Sequence, residues 1–428
     1  MGMTMAEKIL ASHSGRGSVK PGEFVWCNID VTSAAGLRGL EKLGVERVWD
    51  PQRIYVVDDH LAPPTNISTA DDMVAVRRLV GKYGITHFYE YGRHGIQHQV
   101  LPEHGYVVPG DLIAMADSHS TTGGAFNAAV TCTTGEAIYI MITGRIWLMV
   151  PESIKVELTG TIPPWCVGKD VVLKIAGDYG TEVGLYKSLE FSGPGVKQLS
   201  MGSRMTIANM GVELGAKFAI FPCDETTMGF LEGRLEREPR PVAPDPDAVY
   251  SQVMEINLTG MEPQIACPHD PGNVHPVSEV AKQHMKVQQA FLGSCTNGRL
   301  EDMVMAAKIL KGRKVHPNVR MIASPASMEQ WKAADELGVF KTLTDAEVMV
   351  AHPTCGPCYG GHLGIIGKGE VCISSTNRNF QGRMGSPESF VYLAGPASVA
   401  AAAVAGEIVD PREFYDFEKD EMKWPTKS

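Results

Sequence analysis

The sequence predicts an α/β protein of three successive units, and three observations carry that reading. Runs rich in β-branched residues alternate with helical patterns, polar residues gather where the strands end, and the pattern restarts near residues 155 and 262. At 428 residues the chain also exceeds what one ordinary core organises. The expected division is 1–152, 153–250 and 251–428.

In the first unit, Arg53-Ile-Tyr-Val-Val-Asp-Asp reads as a strand ending at Asp58-Asp59-His60. Ser68 to Tyr83 reads as a helix, capped by Ser68 or Thr69, with Val74, Val76, Leu79 and Val80 turned inward. Residues 110–117 form a second strand ending at Asp117-Ser118-His119, and Gly123, Gly124 and Ala125 open a small-residue helix. Open α/β sheets bind ligands beyond the carboxyl ends of their strands, so these polar ends mark a candidate site. The apolar run Ala137 to Pro151 is broken by Gly144 and Arg145 and reads as core, not as a membrane span.

The second unit opens at Lys155-Val-Glu-Leu-Thr-Gly. Between Glu236 and Tyr250, Pro239, Pro241, Pro244 and Pro246 stand among charges, which predicts an exposed linker. In the third unit, Ala397 to Ala405 follows Pro396 and reads as a packed helix.

Composition narrows the class. The 44% hydrophobic and 21% charged content is that of a soluble globular protein. With 39 Lys and Arg against 49 Asp and Glu, the net charge of −10 disfavours nucleic acid as a partner. The N-terminus carries no apolar leader, and the odd total of nine cysteines is a poor disulfide framework, so a cytoplasmic location is expected.

The chemistry concentrates in Gly-Ser-Cys295-Thr-Asn-Gly-Arg and His-Pro-Thr-Cys355-Gly-Pro-Cys358-Tyr-Gly-Gly. Three thiolates can hold an iron–sulfur cluster with one iron lacking a protein ligand, and such an iron is a Lewis acid. On spacing alone a zinc site completed by His352 or His362 stands beside that reading. A thioredoxin-like dithiol fits less well, since this C-x-x-C lies among glycines far from the first strand.

His60 follows Asp59, His98 precedes Gln99, and His119 lies near Asp117. A carboxylate can raise an imidazole pKa and make a general acid available near neutral pH. One Asp-His dipeptide is ordinarily a surface pair; two at strand ends argue for a site. Arg378 and Arg383 flank Gly382 and are suited to carboxylates. Asn209 and Glu213 share one face if their segment is helical.

Taken in order, these pieces resemble the aconitase superfamily, within it the large subunits of the isopropylmalate dehydratase and homoaconitase group. The resemblance runs from Lys8 to Pro411 through Asp59-His60, Gly95-Ile-Gln-His98-Gln, Asp117-Ser118-His119-Ser-Thr-Thr-Gly-Gly-Ala, Asn209-Met-Gly-Val-Glu213, Gly293-Ser-Cys295-Thr-Asn297-Gly-Arg299, Cys355-Gly-Pro-Cys358 and Asn377-Arg378-Asn-Phe-Gln-Gly-Arg383. It implies three αβα-type domains of the aconitase fold around a shared cluster site, with the swivelling fourth domain absent.

The resemblance further implies that Cys295, Cys355 and Cys358 bind one [4Fe-4S] cluster per subunit, with one iron lacking a protein ligand. His60, oriented by Asp59, would protonate the departing hydroxyl, which His98, Asp117 and His119 would hold. Glu213 would sit at the iron-ligated oxygens, and Asn209, Asn297 and Asn377 would hydrogen-bond around the cluster. Ser118, Arg378 and Arg383 would bind the substrate.

The implied activity is reversible removal of water from a malate-type 2-hydroxy acid, a small dicarboxylate or tricarboxylate, without net redox change. 3-Isopropylmalate, of leucine biosynthesis, is the leading substrate. Gln97 replaces the cysteine that isopropylmalate enzymes carry there, which keeps homoaconitate, citramalate or methylmalate, and 2,3-dimethylmalate open. Ser374 and Ser375 do not match the fourth-domain serine base. A separate small subunit is therefore expected to supply the swivelling domain, the base and the substrate-specificity loop, in a heterodimer or heterotetramer. A cluster-free RNA-binding regulator is the remote alternative, and the net charge counts against it. No membrane partner is expected.

Overall fold

The computed structural model describes residues 2–420, apart from 35 and 134. Its first sheet is parallel throughout and runs His87–Tyr89, Ile54–Val57, Val31–Ser33, Leu112–Met115, Ala129–Cys132. All four positions of Leu112–Met115 are buried, as expected for a strand with both faces covered. The second sheet, also parallel, runs Phe218–Ile220, Ser188–Ser192, Ser153–Thr159, Gln252–Asn257. The edge strand Gln252–Asn257 thus lies just beyond the expected division at 250.

The third sheet has seven strands, in the order Val274–Pro276, Gln264–Ala266, Phe390–Ala394, Val371–Ser374, Gln289–Gly293, Arg320–Ser324, Met349–Val350. Gln264–Ala266 pairs antiparallel on both sides, and the other pairings are parallel. One continuous apolar core reaches all three sheets, taking in Ile113, Ile154, Leu189, Phe291 and Leu393.

Local chemistry refines the expected elements. The helix Ile67–Tyr83 is capped by Asn66, with Thr69 completing a capping box, and not by Ser68 or Thr69 as cap. Leu79 and Val80 are buried, but Val74 is 60% exposed, so only the C-terminal half meets the core. The segment after His119 is a 3₁₀ turn, Ser120–Phe126. There Ser120 and Thr122 donate their hydroxyls to the carbonyls of Asp117 and His119, competing with helical pairing.

The run Ala137 to Pro151 is not wholly core. It becomes the helix Glu136–Thr143 and the strand Arg145–Met149, which pairs with Phe24–Asn28 as an antiparallel ribbon. Val25, Cys27, Ile146 and Leu148 face inward, while Phe24 and Trp147 stay at least half exposed. Among the described residues no helix is long and apolar enough to cross a membrane.

The proline-rich segment 236–250 is a strap, not a free linker. Arg237 grips the fully buried Asp111 through two hydrogen bonds of 2.9 and 2.6 Å, and Arg240 reaches Asp30 at 3.2 Å. Asn127 exchanges hydrogen bonds with the backbone of Val242 at 2.7 and 3.0 Å. A side chain at Gly105 would meet Arg234 O at 1.9 Å, and one at Gly110 would meet Arg240 O at 2.2 Å. Prolines deny the segment a ladder of its own, so buried carboxylates organise it instead.

The first and third sheets meet at their carboxyl ends. Gly95 bridges to Ser327, Ile96 N–H donates to Ala326 O at 2.7 Å, and Cys355 N–H donates to Asp59 O at 3.4 Å. Breaking the strap should weaken the first sheet measurably. Arg237→Ala leaves the Asp111 carboxylate only the longer 3.4 Å contact to Arg240 as an ion pair, and urea unfolding should show a loss of about 3 kcal/mol; a loss below about 1 kcal/mol would mean the strap is not held this way.

Candidate active site

Asp117 lies just past the strand Leu112–Met115 and accepts from His98 Nε2 at 2.7 Å and from the His119 amide at 2.8 Å. Its second oxygen stands 3.4 Å from His60 Nε2. Burial alone would raise its pKa, but His98, His119 and His60 outweigh burial and hold the carboxylate well below its usual range.

His60 follows the strand Ile54–Val57, and its Nδ1 meets Asp59 Oδ1 at 2.6 Å. Carboxylates therefore face both ring nitrogens. Asp59 is the main cause that raises His60 to about 9, with Asp117 adding to it, so this imidazole is protonated at neutral pH. Its side chain is 40% exposed, against 3% for His98 and 5% for His119. Of the three, only His60 has room to hand a proton to a bound molecule.

His119 bonds across to another sheet's elements. Its Nε2 meets Glu213 Oε1 at 3.0 Å, and its Nδ1 meets Ser118 Oγ at 3.1 Å. Burial lowers the His119 pKa more than Glu213 raises it, so the ring is neutral, with Nε2–H donating to Glu213. The ring partner of His119 is thus Glu213 and not the neighbouring Asp117, whose ring partner is His98. Nor does Gln99 serve His98; it bonds Glu103 and Arg299.

Asn209 ends the helix Met201–Asn209 and Glu213 lies in the 3₁₀ turn Met210–Leu214, yet both face the same junction. Arg378 ties that junction together, donating Nε to Glu213 at 2.7 Å and Nη1 to Ser118 at 3.0 Å. Burial would raise Glu213, but His119 and Arg378 keep it ionised. Arg383 acts on both Cys358 and His60, and its Nε is buried without a partner among the described residues.

Cys295 follows the strand Gln289–Gly293, while Cys355 and Cys358 lie in the turn after Met349–Val350. All three are free and about 5–6% exposed. Asn377 links two of them: Nδ2 lies 3.3 Å from Cys295 Sγ, and Oδ1 lies 3.5 Å from Cys358 Sγ. Asn377 also donates to Asn209 at 3.3 Å. Asn297 turns elsewhere, donating to Asp302 at 2.9 Å.

Burial pushes all three thiols up, Cys295 to about 12, and around Cys355 the Asp59 carboxylate and the other two sulfurs push the same way. Thiols so placed lose their protons when a cationic group takes them as ligands. The donor set therefore fits a sulfur-ligated cluster. Among the described residues no three His, Cys, Asp or Glu side chains are grouped as a single metal ion would need. His352 stacks on Trp331 at 5.8 Å, and His362 is engaged by Pro63 O at 3.1 Å and by Thr354.

Two supports escaped sequence reasoning. Tyr359 donates to His60 O at 3.2 Å and packs edge-on to its ring at 5.1 Å, joining the C-x-x-C turn to His60. Arg299, 5% exposed, donates to Cys295 O at 2.8 Å, Gly202 O at 3.2 Å and Gln99 Oε1 at 3.0 Å. One guanidinium thereby spans the Cys295 loop, the Asn209 helix and the His98 helix. The placement of Arg299 four residues after Cys295 was the only available signal.

Comparison with known proteins agrees with this architecture. The family described as "Aconitase family (aconitate hydratase)" matches residues 8–406. The 3-isopropylmalate dehydratase large subunit of Moorella thermoacetica is 46% identical over 420 residues, covering 96% of this chain and 99% of that one. Large subunit 1 of Methanopyrus kandleri is 45% identical over 421 residues, covering 97% and 100%. The large subunit of Aquifex aeolicus is 46% identical over 425 residues, covering 96% and 98%.

The geometry makes the His60 charge depend on Asp59. In Asp59→Asn the His60 pKa should fall from about 9 toward its ordinary 6.5, so that the ring loses its proton near neutrality. A histidine-selective NMR titration reads this directly, and an unchanged midpoint would contradict it.

Proposed function

The chain belongs to the aconitase family, and from that premise we propose that it is the large, cluster-binding subunit of a hydro-lyase acting on a malate-type 2-hydroxy acid, foremost 3-isopropylmalate. One observation carries the reading: three buried thiols and a protonated His60, held between Asp59 and Asp117, gather where the first and third sheets meet.

Cys295, Cys355 and Cys358 would hold one [4Fe-4S] cluster. When bound, a cluster with one iron lacking a protein ligand supplies a Lewis acid for the substrate's hydroxyl and a carboxylate oxygen. His60 gives its proton to the departing hydroxyl, so that the C–O bond breaks and water leaves. Asp59 and Asp117 keep that proton on His60 until the hydroxyl takes it. His98, Asp117, His119 and Glu213 form a hydrogen-bonded cradle for the water, rigid because its members are buried and mutually paired.

Arg383, and the remaining donor of Arg378, take substrate carboxylates beside Ser118. Asn209 and Asn377 hold the sulfurs' surroundings. A base on a small-subunit partner removes the proton from the adjacent carbon, and its specificity loop selects the side chain. Proton loss and hydroxide loss balance as water, with no electron transferred.

Anaerobic preparations of the chain should show broad visible absorbance, and Ser at Cys295, Cys355 or Cys358 should abolish it. Zinc without iron in protein never exposed to air would overturn the reading. Co-expressed with its small subunit, the chain should convert one of 2-isopropylmalate, citramalate, homocitrate or 2,3-dimethylmalate to an unsaturated acid, followed in the ultraviolet. The large chain alone should not. In the complex, His60→Gln should cost roughly 10²–10⁴ in kcat while the visible spectrum persists; full activity would remove His60 from the mechanism.

A further inference from the structure

Lys169 is a buried amine that the proposed chemistry leaves unused. It is 0% exposed, in the first turn of the helix Gly168–Tyr179, where the helix dipole disfavours positive charge. Its ammonium donates to Ser375 O at 3.1 Å and to Thr376 O, and to no carboxylate among the described residues. The nearby acids are already committed. Asp170 caps Val167 and Gln264, Glu213 serves His119 and Arg378, and Asp302 serves Asn297 and Arg299.

A buried charge without a counter-ion is expensive, so its retention calls for negative charge close by. Burial pushes the Lys169 pKa down to about 7, and of the neighbouring groups Cys358 and then Cys295 oppose that most, ahead of Asp170 and Glu213. Ser375 O, which accepts from Lys169, also accepts from Thr296 Oγ1 at 2.7 Å, next in sequence to Cys295. Two residues on from Ser375 is Asn377, which touches both sulfurs.

We propose that Lys169 is the built-in countercharge of the group held by the three cysteines, setting its reduction potential and retention through space and through the Ser375–Asn377 backbone. The inference rests on the cluster reading above. Lys169 touches neither substrate nor sulfur, so it is a positioning residue and not a catalytic one.

The test compares wild type, Lys169→Met and Lys169→Arg as cluster-loaded complexes with the small subunit, by anaerobic EPR redox titration. At a fixed solution potential the reduced-to-oxidised ratio of Lys169→Met should fall about tenfold, about 59 mV for a one-electron couple, while Lys169→Arg stays near wild type. Urea unfolding of the full chain before loading supplies the control. A countercharge predicts that Lys169→Met unfolds at an equal or higher midpoint, because an uncompensated buried charge has been removed. An unchanged potential together with lost stability would make Lys169 a structural brace and overturn the proposal alone. A wild type that takes up no cluster would overturn the underlying reading, and this inference with it.

Discussion

Everything at the junction depends on keeping a largely buried carboxylate ionised. Asp117 does so by drawing one imidazole from the helix after Ile96, another from the loop after Val57, and an amide from its own turn. Each donor comes from a different part of the chain. The attraction that depresses the Asp117 pKa is therefore also the force that draws the strand ends of the first sheet together. Glu213 repeats the device one step away, with Arg378 as its counter-ion and the neutral His119 ring as a second donor. Two acids of this kind join three sheets without a single covalent crosslink.

The supporting layer follows the same logic with neutral acceptors. Arg299 and Lys169 spend their protons largely on backbone carbonyls of the loops that present Cys295 and Asn377. Carbonyl acceptors of this kind fix a loop's path without adding a second charge to the site. Tyr359 closes the frame by tying the C-x-x-C turn to His60.

Alternation of strand and helix made the α/β class legible in the sequence, and the ordered motifs made the family legible. Cys295, Cys355, Cys358, His60 and Asp117 could be singled out because each stands at a strand end or in a glycine-bearing turn. Partners could not be read. Adjacency tempted the pairing of His119 with Asp117, whereas the ring reaches Glu213, 94 residues away. Likewise the strap at 236–250 looked free because its anchors, Asp111 and Asp30, lie more than a hundred residues earlier. The role of Lys169 left no mark for a related reason: its acceptors are backbone atoms, which leave no trace in residue identity. The expected cap at Ser68 or Thr69 failed more mildly, because Asn66 is the stronger competitor at that position.

The cysteines' addresses also make their grouping a property of the whole sheet. Cys295 leaves a central strand of the third sheet, while the C-x-x-C turn follows its edge strand Met349–Val350, with Arg320–Ser324 between them. No short stretch of chain contains the set. A compact metal knuckle gathers its cysteines within one loop; these three are separated by completed β-α crossovers. The pairing of three strands is what makes the sulfurs neighbours, so loosening that edge of the sheet disperses them.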